Sequence, residues 1–132
     1  MSTITGVCNC RNISVTIPTP KESMLCHCES CRKSCGSTYS ANLIIGPSQL
    51  QVSGQPAQFK AIGTSGQNVT RNFCSNCGSP IFTTIDVDPS QVFVKAGLFP
   101  PGQVPKPTIH LFVKNMEDWE VAEEDTTKLE TQ

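Results

Sequence analysis

Ten consecutive residues, Cys26-His-Cys28-Glu-Ser-Cys31-Arg-Lys-Ser-Cys35, hold half of the eight cysteines in a chain of 132 residues. Thiols at this density have to be satisfied by disulfides, by metal, or by burial as small apolar groups, and each option dictates a different fold. The N-terminal stretch MSTITGVCNC has neither a charged n-region nor an apolar h-region, so no secretory signal is expected. A reducing, cytoplasmic compartment follows as the expectation, and there cysteine clusters read as metal ligands.

The remaining spacings sharpen that reading. Cys74-Ser-Asn-Cys77-Gly78 has the form of a knuckle that turns two thiolates inward, with a glycine to allow the tight exit. Cys8 and Cys10 are two apart, and in an extended strand such residues share a face. Two such pairs make a closed four-thiolate zinc site, structural in kind, that ties the N-terminal strand to the middle of the chain. Cys26, Cys28 and Cys31 are then left as a three-thiolate site with one position free, the ligand count of a catalytic zinc. The competing possibility is that Cys35 closes this second site as well.

The rest of the chain reads as β. Short runs rich in β-branched and aromatic residues recur at 13–17, 38–45, 50–52, 69–73, 81–85, 92–96 and 109–114, punctuated by Gly46-Pro47, Asp88-Pro89 and a proline-rich stretch at 99–107. This predicts an all-β domain over residues 1–121, with helical turns only after Cys28 and near Pro47–Leu50. Residues 122–132 are polar and acidic and are expected to form a frayed tail. Trp119 is expected in the core. The net charge of −1 and the absence of any Lys/Arg run argue against a nucleic-acid partner, and no apolar stretch reaches the length of a membrane span.

Other residues carry open alternatives. His27, between two ligands, should face away from the metal. His110 in the apolar run Ile109-His-Leu-Phe-Val is either a core histidine or an acid/base group. Arg32 and Lys33 are either solvated or placed to attract a substrate carboxylate. Arg71 fits equally well as a structural partner for a carboxylate.

Gly6-Val-Cys8-Asn-Cys10, Cys26-His-Cys28-Glu-Ser-Cys31-Arg32 and Ser65-Gly66 through Arg71-Asn-Phe73-Cys74-Ser-Asn-Cys77-Gly78-Ser-Pro-Ile-Phe82, in that order, resemble the glutathione-dependent formaldehyde-activating enzyme (CENP-V/GFA domain) family. Lys95-Ala-Gly97-Leu98, Pro107 to His110 and Trp119 extend the likeness over about residues 4–120. The resemblance implies an Mss4-like fold of several short coiled antiparallel sheets stapled by zinc. It also implies a structural zinc on the first and last cysteine pairs and a catalytic zinc on the middle three. One departure stands out: Gly97-Leu98-Phe99-Pro100 occupies the place where formaldehyde-acting members carry Gly-[ST]-Leu-Asp.

The function expected is a zinc-dependent carbon–sulfur lyase that forms or cleaves adducts between a small glutathione-like thiol and an aldehyde. Cys26, Cys28 and Cys31 would hold the catalytic metal, with Arg32 and His110 as electrostatic and acid/base helpers. Two alternatives stay open: a non-catalytic zinc-stapled interaction module, and a zinc enzyme of the same fold acting on another small metabolite. Thiol–disulfide redox through Cys35 lacks the C-x-x-C and βαβ context it would need.

Overall fold

The computed structural model describes residues 2–132. Eleven strands are present: β1 (Thr3–Val7), β2 (Ser14–Pro18), β3 (Ser23–Cys26), β4 (Ser40–Ile45), β5 (Gln51–Ser53), β6 (Ala57–Ile62), β7 (Asn68–Phe73), β8 (Pro80–Ile85), β9 (Val92–Lys95), β10 (Pro107–Leu111) and β11 (Thr127–Lys128). One short helix, α1 (Glu29–Cys35), follows β3. β1, β2 and β5 form a three-stranded antiparallel sheet. The other eight strands form one sheet in the order β11-β10-β3-β4-β9-β8-β7-β6, parallel only where β10 meets β3 and β11.

Alternation along the central strands gives this large sheet two different faces. Leu43 and Ile45 of β4 and Val92 and Val94 of β9 point to one side, where Val15 and Ile17 of β2 and the buried Phe99 complete an apolar core. Asn42 of β4 and Phe93 and Lys95 of β9 point to the other side, with Cys26 and Cys31. Burying the aliphatic face against the small sheet supplies the main hydrophobic drive, about 25 cal/mol for each Å² of apolar surface. Phe99, which stands in the departure noted above, is 5% exposed and fills this core.

Close approach fixes one glycine. A Cβ at Gly6 would lie 2.9 Å from the Leu98 Cβ and carbonyl oxygen, so β1 can run against the 96–98 turn only without a side chain there.

The all-β expectation, with antiparallel sheets and cysteine clusters, holds. Two expectations do not. Trp119 is 72% exposed, lying in the irregular segment after β10 with no apolar neighbour to cover it. The C-terminal residues are not frayed throughout: β11 pairs with β10, the Leu129 amide donates to the His110 carbonyl at 2.9 Å, and the Phe112 amide donates to the Thr131 carbonyl at 3.0 Å. Backbone pairing orders a segment whose side chains alone gave no reason for order. Among the described residues no helix is long and apolar enough to cross a membrane.

Candidate functional site

The first cysteine group is assembled by two turns. After β1 the chain bends at Cys8–Arg11, where the Arg11 amide donates to the Cys8 carbonyl at 3.0 Å and Arg11 itself takes φ 68°. Cys8 and Cys10 therefore converge through a turn and not through the strand alternation expected from their spacing. Between β7 and β8, the Gly78 amide donates to the Cys74 carbonyl at 2.8 Å and Gly78 adopts φ 78°, the left-handed exit its lack of a Cβ permits.

The four Sγ atoms of Cys8, Cys10, Cys74 and Cys77 lie within 4.8 Å of one another. Cys10 Sγ is 3.6 Å from Cys8 Sγ and 3.5 Å from Cys74 Sγ. Thiolates at 2.3 Å around a tetrahedral zinc stand about 3.8 Å apart, so this donor set fits that ion. Hydrogen bonds from the Ser79 hydroxyl and amide bring the Cys77 thiol down to about 5, and the Ile13 amide donates to Cys8 Sγ at 3.4 Å. The Ser79 contacts stabilise the thiolate form of Cys77 that a metal requires.

The second group is local in sequence. Cys26 ends β3, Cys28 is the N-cap of α1, and Cys31 is buried in the first turn of that helix. Cys28 Sγ accepts the Cys31 amide at 3.2 Å, so one sulfur both caps the helix and belongs to the cluster. All three Sγ atoms again lie within 4.8 Å of one another, and Cys35 is not among them. Hydrogen bonds with Cys26 and Cys28 hold the Cys31 thiol well below its ordinary range. The same contacts with Cys28 and Cys31 push Cys26 well above it. Three crowded thiols cannot all ionise without a cation, and the set fits a divalent one.

The three-cysteine group sits on the wall of a cavity of about 370 Å³, which none of Cys8, Cys10, Cys74 and Cys77 lines. Val69, Ile85 and Phe93 give the cavity apolar walls, and Arg71, Lys95 and Lys114 bring cations to it. Lys95 Nζ donates to Asn42 Oδ1 at 2.8 Å, and Asn42 Nδ2 donates to Ser40 Oγ at 2.9 Å. Ser40 also lowers the proton affinity of the Cys31 thiol. Burial pulls the proton affinity of Lys95 down, and the nearby Cys35 and Cys31 sulfurs oppose that pull. Arg71 Nη2 donates to Ser30 Oγ at 2.8 Å and lies 3.9 Å from Cys31 Sγ.

The two helpers expected from the sequence lie off the cavity. Arg32 Nη1 donates to the Asn115 carbonyl at 3.1 Å and pairs with Glu117 at 3.6 Å, bracing α1 against the segment after β10. His110 is buried and stacked on His27, with His27 Nε2 and His110 Nδ1 3.1 Å apart. His27 does face away from the thiols, its Nδ1 lying 3.7 Å from Glu120 Oε1. Sequence reasoning gave no role to Lys95 or Asn42, which both line the cavity. Lys95 left one signal, a cation inside the otherwise apolar run 92–96.

Fold and site together define a β-rich domain with two cysteine clusters able to hold metal, one of them opening on a cavity. The model of the glutathione-dependent formaldehyde-activating enzyme family matches residues 3–115, and the chain belongs to that family. At family level this supports a glutathione-linked, aldehyde-activating function, with glutathione and an aldehyde as small-molecule partners. The crystal structure of a Rhodobacter sphaeroides protein is similar to this chain, with a TM-score of 0.60 and 20% identity over 78% of this chain and 99% of that one. That likeness bears on the fold. No curated protein matches.

Proposed function

We propose that this chain is a zinc-dependent carbon–sulfur lyase that forms or cleaves adducts between a small thiol and an aldehyde at the Cys26/Cys28/Cys31 group. The observation that carries the reading is the unequal placement of the cysteine groups: three converging thiols line the large cavity, and the four-thiol set does not. When bound, zinc would supply a cation that favours the thiolate form of an incoming thiol.

The chain's own residues supply the rest. Cys26, Cys28 and Cys31 would hold the ion, with the Cys31 amide fixing the Cys28 sulfur by hydrogen bond. Arg71, 3.9 Å from that sulfur, offsets the charge gathered there. Val69, Ile85 and Phe93 keep water from the reacting carbon. As the carbon–sulfur bond forms, the carbonyl π pair moves to oxygen. Lys95, held by Asn42 and facing the cavity, is the cation available to meet that oxyanion. In the reverse direction the oxygen lone pair re-forms the carbonyl as the thiolate leaves. Arg32 and His110 act here as supports, of the helix and of the sheet.

Exchange of formaldehyde between free solution and its glutathione adduct, followed by NMR on the zinc-loaded protein, tests this. Exchange should accelerate with wild type and fall to the uncatalysed rate with Cys28→Ser. No acceleration with glutathione, 2-mercaptoethanol or 3-mercaptopropionate would overturn the reading.

A further inference from the structure

Arg71 and Thr83 stand directly opposite one another in the β7–β8 pair, so both side chains project from the same face of the sheet. Both line the large cavity, and both line a second cavity of about 180 Å³, as does Lys95. The Thr83 hydroxyl is buried without any hydrogen-bond partner, the residue being 6% exposed, and the buried Arg71 Nε likewise has none. A buried polar atom left unpaired costs about 1–3 kcal/mol, so two of them side by side mark a place built for an acceptor.

Charge points the same way. Among the described residues neither Arg71 nor Lys95 forms an ion pair with a carboxylate. The second cavity has no acidic residue on its wall, and Glu29 is the acidic side chain on the wall of the first. The cysteine sulfurs account for part of this positive charge, through Arg71 Nη2 and its 3.9 Å approach to Cys31. They do not account for Arg71 Nε or the Thr83 hydroxyl, which need an oxygen or similar acceptor.

We propose that Arg71 Nε and the Thr83 hydroxyl, in the field of Lys95, form a carboxylate subsite next to the three-cysteine group. The substrate class is then a thiol, or its aldehyde adduct, that carries a carboxylate a few bonds from the sulfur. The assignment rests on the thiol–aldehyde reading for its sulfur half and on Arg71 and Thr83 for its anionic half.

Calorimetric titration of the zinc-loaded protein with 2-mercaptoethanol, 3-mercaptopropionate and propionate separates the two halves. In wild type, 3-mercaptopropionate should bind roughly tenfold or more tightly than 2-mercaptoethanol, the scale of a charge-assisted hydrogen bond. Arg71→Gln should abolish that advantage, so that the two thiols bind with equal affinity. Thr83→Val, which keeps the shape and removes only the hydroxyl, should reduce it, so a folding defect in one variant does not decide the matter. Equal affinity of the two thiols in wild type overturns the subsite and leaves the thiol site standing. If neither thiol binds, the thiol site fails, and propionate decides the anionic half: binding lost in Arg71→Gln upholds it, and no binding overturns it.

Discussion

The two cysteine groups use the same donor atom in opposite ways. Cys8, Cys10, Cys74 and Cys77 come from two turns far apart in the chain, and the buried Cys8 and Cys74 are part of the core between the small and large sheets. Cys26, Cys28 and Cys31 come from one strand end and one helix start, on the other face of the large sheet, with a cavity beside them. A long loop closed by four ligands adds to stability because it restrains the unfolded chain. A cluster within six residues closes almost no loop, so a metal there would add little restraint of that kind. Number and position distinguish the two groups, where composition alone would treat all the thiols alike.

The largest effect should come from breaking the closed group. Cys8→Ser removes one donor from a set that fits zinc, and structural zinc contributes about 10 kcal/mol or more in small domains, comparable to the total stability of a domain. Circular dichroism should show loss of the cooperative unfolding transition. Cys28→Ser should retain that transition, because serine is also a good N-cap for α1, and should lose one metal equivalent and the activity. Metal analysis with thermal melts on both variants checks the pair. Loss of the fold in both would erase the distinction between them.

How the site was legible follows from these same residues. Cysteine spacing is a local signal that survives any fold, so both converging cysteine groups could be read directly from the chain. Strands β2, β4, β5, β7, β8, β9 and β10 showed themselves through β-branched and aromatic runs. β6 did not, because Ala57–Ile62 is an edge strand whose exposed positions tolerate Gln58 and Lys60. β3 was hidden by its length, four residues leading into the cysteine motif. The Arg71–Thr83 juxtaposition is set by register across β7 and β8, and register depends on which face is buried. The single-residue patterns of the two strands do not contain it. Trp119 misled because an isolated aromatic carries no information about whether anything will be there to cover it.

A smaller effect should follow from crowding the scaffold side alone. Gly6→Ala places a Cβ 2.9 Å from Leu98 and should cost about 1–3 kcal/mol, read as a lower melting temperature, with both metal equivalents and the exchange activity retained. Loss of activity at unchanged metal content would mean that the two faces are coupled through the sheet.

The buried histidine pair, off the cavity, should show a modest pH dependence of its own. Burial holds His110 below the ordinary histidine range, His27 and Lys128 add to that, and Glu123 and Glu120 oppose it. A depressed value means the unfolded chain binds the extra proton. The contribution to stability is therefore whole above about pH 6.5 and is lost as pH falls toward the folded value. Melting temperatures of His110→Gln should fall less steeply than wild type below that pH. Parallel curves would remove His110 from the account.

The central claim is that the three-cysteine group keeps a position open, and counting sulfurs around bound cobalt tests it most directly. Thiolate-to-cobalt charge-transfer intensity on the doubly substituted protein should report four sulfurs at one site and three at the other. It should rise by one sulfur when a small thiol is added, and it should be indifferent to Cys35→Ser, since Cys35 lies outside both groups. Four sulfurs at both sites in the wild type, with one lost in Cys35→Ser, would contradict it.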